Sequence, residues 1–458
     1  MTGGVLLGNT ESVCPECLKR VQAQKIAAGA SVYLQKECPE HGSFRTLIWQ
    51  GEPSYAGWSN PKIPSAPAVC TTRVEQGCPF DCGLCPGHRQ ETCCVLLEVT
   101  TSCNLQCPIC FAAAESGKER NDPDLAEIEG WYQALRARGI DNIQLSGGEP
   151  TVRDDLPEIV ARGRKSGFPY IQLNTNGLRL GQDPHYAEQL KEAGLNSVFL
   201  QFDGIGDEIN KSIRGAALAD IKEAAIDHCA RQGIGVVLVP TLVPGINMNG
   251  IGDILNFAIA RIPAVRGVHF QPISYFGRYP PAPPADRITI PEILRGIEKQ
   301  SGGKLKAENF LPPAAENSYC SFHGNFILME DGRLKPWTSS QGAKSCCRPA
   351  SAAAGLKRSR EFVARQWTAP NAARINSCLC TQDNAGNGEI NVDSLDQFLV
   401  RVRDYSLSIS GMAFQDAWTL DLERLRDCKV HVFSPDNRLI PFCAFNLTAV
   451  NGRSLYRI

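Results

Sequence analysis

Between residues 95 and 300 the chain alternates two hydrophobic rhythms. Short, nearly continuous apolar runs rich in β-branched residues read as buried strands, and the stretches between them repeat apolar residues at helical spacing. The predicted strands are "VLLEV" (95–99), "NIQLS" (142–146), "YIQLNT" (170–175), "SVFLQF" (197–202), "GVVLVPT" (235–241) and "GVHFQP" (267–272). The predicted helices are 125–139, which ends in Gly, 154–166, 185–194, 217–232, 249–261 and 291–300. Six strands alternating with helices imply an α/β fold with a parallel sheet and right-handed crossovers. Six such units can form a doubly wound sheet or a partial barrel.

Outside this stretch the rhythm is weaker. Residues 1–50 carry "CPEC" and "CPEHG", and a Pro/Ser/Gly-rich linker, "GEPSYAGWSNPKIPSAPAV", follows. A cysteine-dense stretch covers 70–94. "RYPPAPPAD" interrupts the last βα unit. Beyond 300, "YCSFHGNFILMEDGRLKPW" and "RDCKVHVFSPDNRLIPFCAFN" read as short hairpins with cysteines at their edges. The expected division is an N-terminal module at 1–60, a cysteine-rich bridge at 61–94, the βα repeat at 95–300 and a C-terminal domain at 301–458. A length of 458 residues suits two to four such units.

Composition narrows the class. The net charge is −1 and no Lys/Arg-rich run occurs, so the electrostatic footprint of a nucleic-acid binder is missing. The longest apolar run, "GIGVVLVPTLVPGI" (233–246), holds two prolines and is shorter than a transmembrane span. "MTGGVLLGNT" at the start lacks the basic region of a signal peptide. A cytoplasmic protein is expected. Its 20 cysteines should therefore be reduced thiols rather than disulfides, and clustered thiolates in such a setting more often hold metal.

Two cysteine hooks share the spacing C-x3-C-x2-C: Cys78, Cys82, Cys85 and Cys103, Cys107, Cys110. The second follows "VLLEV". After "NIQLS" comes Gly147-Gly148-Glu149-Pro150. "YIQLNT" runs into Asn176-Gly177, and Asp203-Gly204 follows "SVFLQF". All fall at the carboxyl ends of parallel strands, where α/β folds build their sites. Turn chemistry explains any one of these loops. It does not explain a metal hook and Gly-Gly-Glu-Pro on successive loops.

This combination over residues 95–300 resembles the radical S-adenosylmethionine (SAM) superfamily. Ile109 stands where many members have an aromatic residue. The resemblance implies a partial (β/α)6 TIM-like barrel. It also implies a 4Fe-4S cluster on Cys103, Cys107 and Cys110, since three thiolates leave one iron open to the amino and carboxylate groups of SAM. The reduced cluster then cleaves SAM to a 5′-deoxyadenosyl radical that abstracts a substrate hydrogen, the protein supplying position and exclusion of water. Gly147 and Gly148, with Pro150 closing the motif, would let backbone approach the SAM amino group, with Glu149 nearby. Asn174, Asn176 and Gln201 or Asp203 suit the ribose or carboxylate end, and Arg214 suits a carboxylate clamp. Capping and turn roles compete for the outer positions. An electron donor such as flavodoxin or ferredoxin is implied as a partner.

The other cysteines divide into sets. Cys14, Cys17, Cys38 and His41 form two knuckles like those of a zinc ribbon or rubredoxin. A Cys3His set suits structural zinc, and mononuclear iron is the alternative. No strand precedes Cys78, Cys82 and Cys85, and no Gly-Gly-Glu-Pro follows at the next strand end. This hook reads as an auxiliary cluster completed by Cys94 or Cys93, or else as a second zinc site. Cys320, Cys428 and Cys443 could hold a third cluster with Cys347, Cys378 or Cys380. Cys229, on a helix among apolar residues, reads as core.

The whole layout, including the terminal "IPFCAFN", is similar to the tetraether-lipid-synthase-like branch of the superfamily. Members of that branch were also assigned as pterin methyltransferases. "GCPFDCGLCPGH" is also similar to the bridge of the radical SAM (seleno)proteins called TrsS. The resemblance implies hydrogen abstraction at unactivated carbon, with carbon–carbon bond formation on a lipid-like substrate first. Methylation of a pterin-like heterocycle is one alternative, and a multi-cluster electron-transfer or maturation partner is another. An intact Gly-Gly-Glu-Pro loop argues against the last.

Overall fold

The computed structural model describes residues 4–114, 122–280, 286–338, 351–369 and 394–457. Four antiparallel strands come first: β1 (Val5–Val13), β2 (Arg20–Ala28), β3 (Ser31–Cys38) and β4 (Gly42–Gln50). They form a sheet of their own in chain order.

The main sheet begins with β5 (Cys94–Thr100), β6 (Asn142–Gly147), β7 (Tyr170–Thr175), β8 (Ser197–Gln201) and β9 (Gly235–Val239). A two-residue strand, β10 (Thr241–Leu242), follows, and then β11 (Val265–Pro272). Every residue of β9 is buried, as a strand covered on both faces requires. Pro240 has no N–H to donate to the ladder, and this explains the break between β9 and β10. Strands β5, β6, β7, β8, β9 and β11 lie side by side in chain order, all parallel. A doubly wound sheet would reverse its strand order partway, and this one does not.

The crossover helices are α1 (Leu125–Ala137), α2 (Leu156–Lys165), α3 (Leu178–Gln182), α4 (Pro184–Glu192), α5 (Asp207–Arg214), α6 (Ala219–Arg231), α7 (Ile251–Ala260) and α8 (Ile290–Gln300). Asp124 starts α1 by accepting from the backbone N–H groups of Ala126 and Glu127, while Glu127 reaches back to the Asp124 N–H. Helices α3 and α5 were not predicted, because five and eight residues are too short to display a helical period. In the main apolar cluster, Ile143, Leu173, Leu200 and Leu238 of the strands meet Ile128, Leu156 and Ile254 of the helices.

The C-terminal residues form β12 (Ser321–Leu328), β13 (Leu334–Pro336), α9 (Ala352–Trp367), α10 (Ser394–Asp404), β14 (Ser406–Met412), α11 (Leu422–Arg426), β15 (Val430–Phe433), β16 (Leu439–Pro441) and α12 (Phe442–Phe445). Both expected hairpins form: β12 pairs antiparallel with β13, and β15 with β16. They do not make a separate sheet. Strand β14 pairs parallel with β11, and β15 pairs parallel with β5, so C-terminal segments extend the βα sheet at both edges. Cys229 is buried in the core, as its neighbours implied.

Candidate active site and metal centres

The backbone just before Cys103 is bonded directly to the Gly-Gly-Glu-Pro loop. Gly148 N–H donates to Thr100 O at 2.8 Å, and Glu149 N–H donates to Ser102 O at 2.8 Å. A side chain on Gly148 would place its Cβ 2.1 Å from Ser102 O, and one on Gly147 would lie 2.1 Å from Thr100 O. Gly147 also has φ +127, a backbone region that favours glycine. The two glycines therefore serve first to let two strand ends touch. Cys110 is held from the other side, exchanging backbone hydrogen bonds with Arg278 at 2.9 and 3.0 Å. Burial pushes the Cys103 thiol up to about 12 and raises Cys107 as well. Such thiols ionise when a metal replaces the proton.

Glu149, which the resemblance sets near the SAM amino group, is bonded within the chain. It is fully buried, and both oxygens are occupied. Oε1 accepts from Thr151 N (3.1 Å), Thr151 Oγ1 (2.7 Å) and Thr175 Oγ1 (2.7 Å), and Oε2 accepts from Asn176 N (2.7 Å). Its role is to tie the Gly147–Pro150 loop to the Thr175–Gly177 loop. Asn176 in turn donates from Nδ2 to Asn104 Oδ1 (2.7 Å), inside the hook, and accepts from Leu178 N (2.9 Å). Sequence reasoning missed Asn104, which has no motif of its own.

Arg214 was expected to clamp a carboxylate, and Asp203 to meet the ribose or carboxylate end of SAM. They pair with each other. Arg214 also lies against the Cys107 thiol, whose burial-raised pKa it partly offsets. Two polar atoms here have no hydrogen-bond partner among the described residues: Asn174 Oδ1 and Gln201 Oε1. They are buried carbonyl acceptors at the ends of neighbouring strands β7 and β8. Three thiols on one loop, beside a glycine-lined loop and two waiting acceptors, fit a cubane cluster with a bound SAM.

In the N-terminal sheet, Cys14, Cys17, Cys38 and His41 converge, their ligand atoms all within 4.8 Å of one another. Cys14 Sγ and Cys38 Sγ lie 3.7 and 3.5 Å from His41 Nδ1, and Cys17 and Cys38 sulfurs are 4.0 Å apart. Hydrogen bonding from His41 holds the Cys38 thiol down to about 6, while burial pushes Cys14 up to about 11. The sheet is fixed to the rest of the chain by Lys25–Asp421 (2.6 Å), and by buried Lys36, which donates to Ser12 Oγ (3.0 Å) and Ala417 O (2.6 Å).

The hook at Cys78, Cys82 and Cys85 is closed by the chain terminus. Tyr456 accepts from Cys82 N (2.9 Å) and donates to Pro79 O (2.6 Å). Asp81 caps the approach, taking the N–H groups of Glu75, Gln76 and Gly77. A sulfur contact with Cys82, helped by Arg426 and Arg20, holds Cys78 down to about 6. Cys93 and Cys94 do not meet this hook. Their N–H groups go to Lys429 O, and the charged and thiol neighbours of Cys94 are Cys93, Lys429 and Arg360. The expectation that either completes the hook is corrected. Cys94 is locked into β5 opposite Val430, and burial pushes its thiol up to about 12.

Cys320, Cys428 and Cys443, which are 123 residues apart in the chain at the extremes, line one cavity together with Arg424 and Phe442. Arg424 is directed at Cys320 Sγ (3.5 Å), and its Nε has no partner among the described residues. Burial raises all three thiols, Cys428 to about 12. The further ligands considered, Cys347, Cys378 and Cys380, lie outside the described residues. An aromatic group joins this cavity to the hook at Cys103–Cys110: Phe111, next to Cys110, packs on Phe414 and Phe442 at ring separations of 6.2 and 6.4 Å.

A profile of the radical SAM superfamily matches residues 97–258, and one of the HMPTM N-terminal zinc ribbon domain matches residues 6–50. The chain belongs to the radical SAM superfamily. It is an enzyme that uses a 4Fe-4S cluster and SAM, with a metal site in its N-terminal sheet. Along nearly its whole length it is similar to the 7,8-dihydro-6-hydroxymethylpterin dimethyltransferase of Methanocaldococcus jannaschii, with 34% identity over 95% of this chain and 93% of that protein. It is also 32% identical to the GTP 3′,8-cyclase of Alkaliphilus oremlandii, over 52% of this chain and 79% of that one. Among solved structures, Streptococcus suis SuiB bound to precursor peptide SuiA aligns with 47% of this chain and 46% of that one, at 15% identity and a TM-score of 0.40. Among the described residues, no helix is long and apolar enough to cross a membrane.

Proposed function

We propose that this enzyme methylates a pterin-like heterocycle at carbon by radical SAM chemistry. The observation that carries this reading is the near full-length similarity to a pterin dimethyltransferase, over 95% of this chain and 93% of that protein. The six parallel strands added in one direction support a partial (β/α)6 barrel, its carboxyl-end loops forming the site.

Cys103, Cys107 and Cys110 would hold the cluster, and the loop at Gly147 and Gly148 would receive the methionine end of SAM. When bound, the reduced cluster would supply the electron for reductive cleavage of SAM to methionine and the hydrogen-abstracting 5′-deoxyadenosyl group, and the methyl group would come from a separate one-carbon donor such as a second SAM. The chain contributes position. Thr100 and Ser102 hold the hook to Gly148 and Glu149. Asn174 Oδ1 and Gln201 Oε1 accept from the ribose hydroxyls or the amino group of SAM. Ile109 and Phe111 keep water from the hook with apolar surface. Cys78, Cys82 and Cys85, and separately Cys320, Cys428 and Cys443, would carry auxiliary clusters. The packing of Phe111 against Phe414 and Phe442 supports a short route from the second of these to the SAM hook. A ferredoxin- or flavodoxin-type donor would supply the electrons.

The test is direct. Reconstituted, reduced protein is incubated with SAM and 7,8-dihydro-6-hydroxymethylpterin, and the products are resolved by mass. Methylated pterin together with 5′-deoxyadenosine is the expected result. Formation of 5′-deoxyadenosine only with a lipid substrate would move the assignment to the lipid branch. No 5′-deoxyadenosine under any condition, with Cys103→Ala indistinguishable from the parent, would end the radical reading.

A further inference from the structure

Beside the hook at Cys103–Cys110 stands a group of side chains that the SAM site does not use. Tyr275 and Tyr279 come from the loop after β11, and Trp418 from the segment after β14. Their rings form a closed triangle, with edge-to-face centroid separations of 5.4 Å (Tyr275–Tyr279), 5.9 Å (Tyr275–Trp418) and 6.0 Å (Tyr279–Trp418). The Arg287 guanidinium lies 4.7 Å from the centre of Tyr275 and 5.8 Å from that of Trp418. One arm of Arg287 is anchored, Nη1 to Asp416 Oδ2 at 2.8 Å, and the same carboxylate oxygen accepts from Tyr275 N at 3.0 Å.

Three further polar atoms of this group, Tyr275 OH, Tyr279 OH and Arg287 Nη2, are buried and lack a partner among the described residues. Buried polar groups are nearly always satisfied, so three orphans in one aromatic cluster call for an occupant. The place is also right. Tyr275 packs in one apolar cluster with Ile109, which lies between Cys107 and Cys110, and with Val243 and Ile273 at strand ends. Arg278, the residue before Tyr279, is the one bonded to the Cys110 backbone.

We propose that Tyr275, Tyr279, Trp418 and Arg287 form the recognition site for the planar ring of the substrate. The aromatic faces offer stacking surface to a flat heterocycle. Arg287 Nη2 has only donors, so it requires an acceptor on that ring, such as a carbonyl oxygen or an unprotonated ring nitrogen. The tyrosine hydroxyls can give or accept along the same edge. A lipid chain would leave all three unpaired, a poor exchange for a site built to hydrogen-bond. The inference rests on the radical SAM reading and adds the substrate side of it.

Tyr275→Phe, Tyr279→Phe and Arg287→Lys remove one hydrogen-bonding arrangement each while keeping ring or charge. Binding of 7,8-dihydro-6-hydroxymethylpterin to the reconstituted full-length protein is measured by equilibrium dialysis under anaerobic conditions. Iron content and melting temperature report the fold. The expected result is affinity weakened about tenfold in each variant, the usual effect of one lost hydrogen bond, with iron content and melting temperature kept. Parent-like affinity in all three overturns the site. A parent protein that makes 5′-deoxyadenosine but does not bind the dihydropterin overturns the heterocycle ligand and leaves the radical chemistry standing. A parent that makes no 5′-deoxyadenosine overturns the reading beneath both.

Discussion

Arg214 and Asp203 meet in a two-pronged buried ion pair, Nε to Oδ2 at 2.7 Å and Nη2 to Oδ1 at 2.9 Å. Thr241 supports both partners, accepting from Arg214 at 3.0 Å and donating its N–H to Asp203 at 2.9 Å. Burial alone would raise the Asp203 carboxyl, but Arg214 and Lys222 hold it below the usual range. The pair thus locks α5 to the ends of β8 and β10, with the guanidinium against Cys107.

Asp203→Asn leaves a buried guanidinium without its counter-ion. Breaking such a pair costs about 3–5 kcal/mol. Urea unfolding of the metal-loaded protein should show a loss of this size. A change below about 1 kcal/mol, the range of exposed pairs, would show that solvent reaches the site.

Gly148→Ala should abolish SAM binding, because its Cβ cannot lie 2.1 Å from Ser102 O without pushing the hook away from the loop. Equilibrium dialysis with labelled SAM measures this. Gly206→Ala is the control, since nothing lies within 4 Å of its Cβ. Equal binding by the two variants would mean that the contact between hook and loop is dispensable.

The metal sites should separate by element. Cys428→Ala is expected to lower iron and sulfide and leave the N-terminal metal in place. Cys17→Ser should do the reverse. Anaerobic purification followed by elemental analysis and EPR checks both. Iron equal to the parent in Cys428→Ala would remove the C-terminal cavity from the cluster sites.

Burial holds four histidines, His88, His269, His323 and His431, below the ordinary value, and together they set an acid limit. His269 and His323 occupy neighbouring positions on β11 and β12, each opposite Ser410 of β14, and His269 Nδ1 is 2.9 Å from Ser410 Oγ. Burial lowers each to about 4. Their folded values lie below the ordinary histidine value of about 6.5, so the unfolded chain takes up protons first. The stability they contribute is complete above about pH 6.5 and is lost as pH falls towards 4. Chemical denaturation at a series of pH values should show that slope, and His269→Gln with His323→Gln should make it shallower. An unchanged slope in the double variant would assign the acid sensitivity elsewhere.

Much of this protein is determined locally. Continuous apolar runs such as "GVVLV" can only be strands covered on both faces, and helical spacing between them fixes the βα alternation. The Cys14–Cys17 and Cys38–His41 knuckles were legible because short spacing places ligands together whatever the rest of the chain does. The hook at Cys103–Cys110 and the loop at Gly147–Pro150 were legible because each follows a strand. Contacts over long sequence separation were not. Cys320 precedes β12, and Cys428 and Cys443 flank β15 and β16 at the other end of the sheet order, so their shared cavity is visible only in the folded chain. Cys94 is near the Cys78 hook in sequence, yet the pairing of β5 with β15 turns it to Lys429. Glu149, Asp203 and Arg214 looked free in the sequence, and in the folded chain each already has buried partners. Residue type states what a side chain can bond. Only the packed chain decides which bonds are already made, because a buried polar group takes the nearest partner or waits for a ligand.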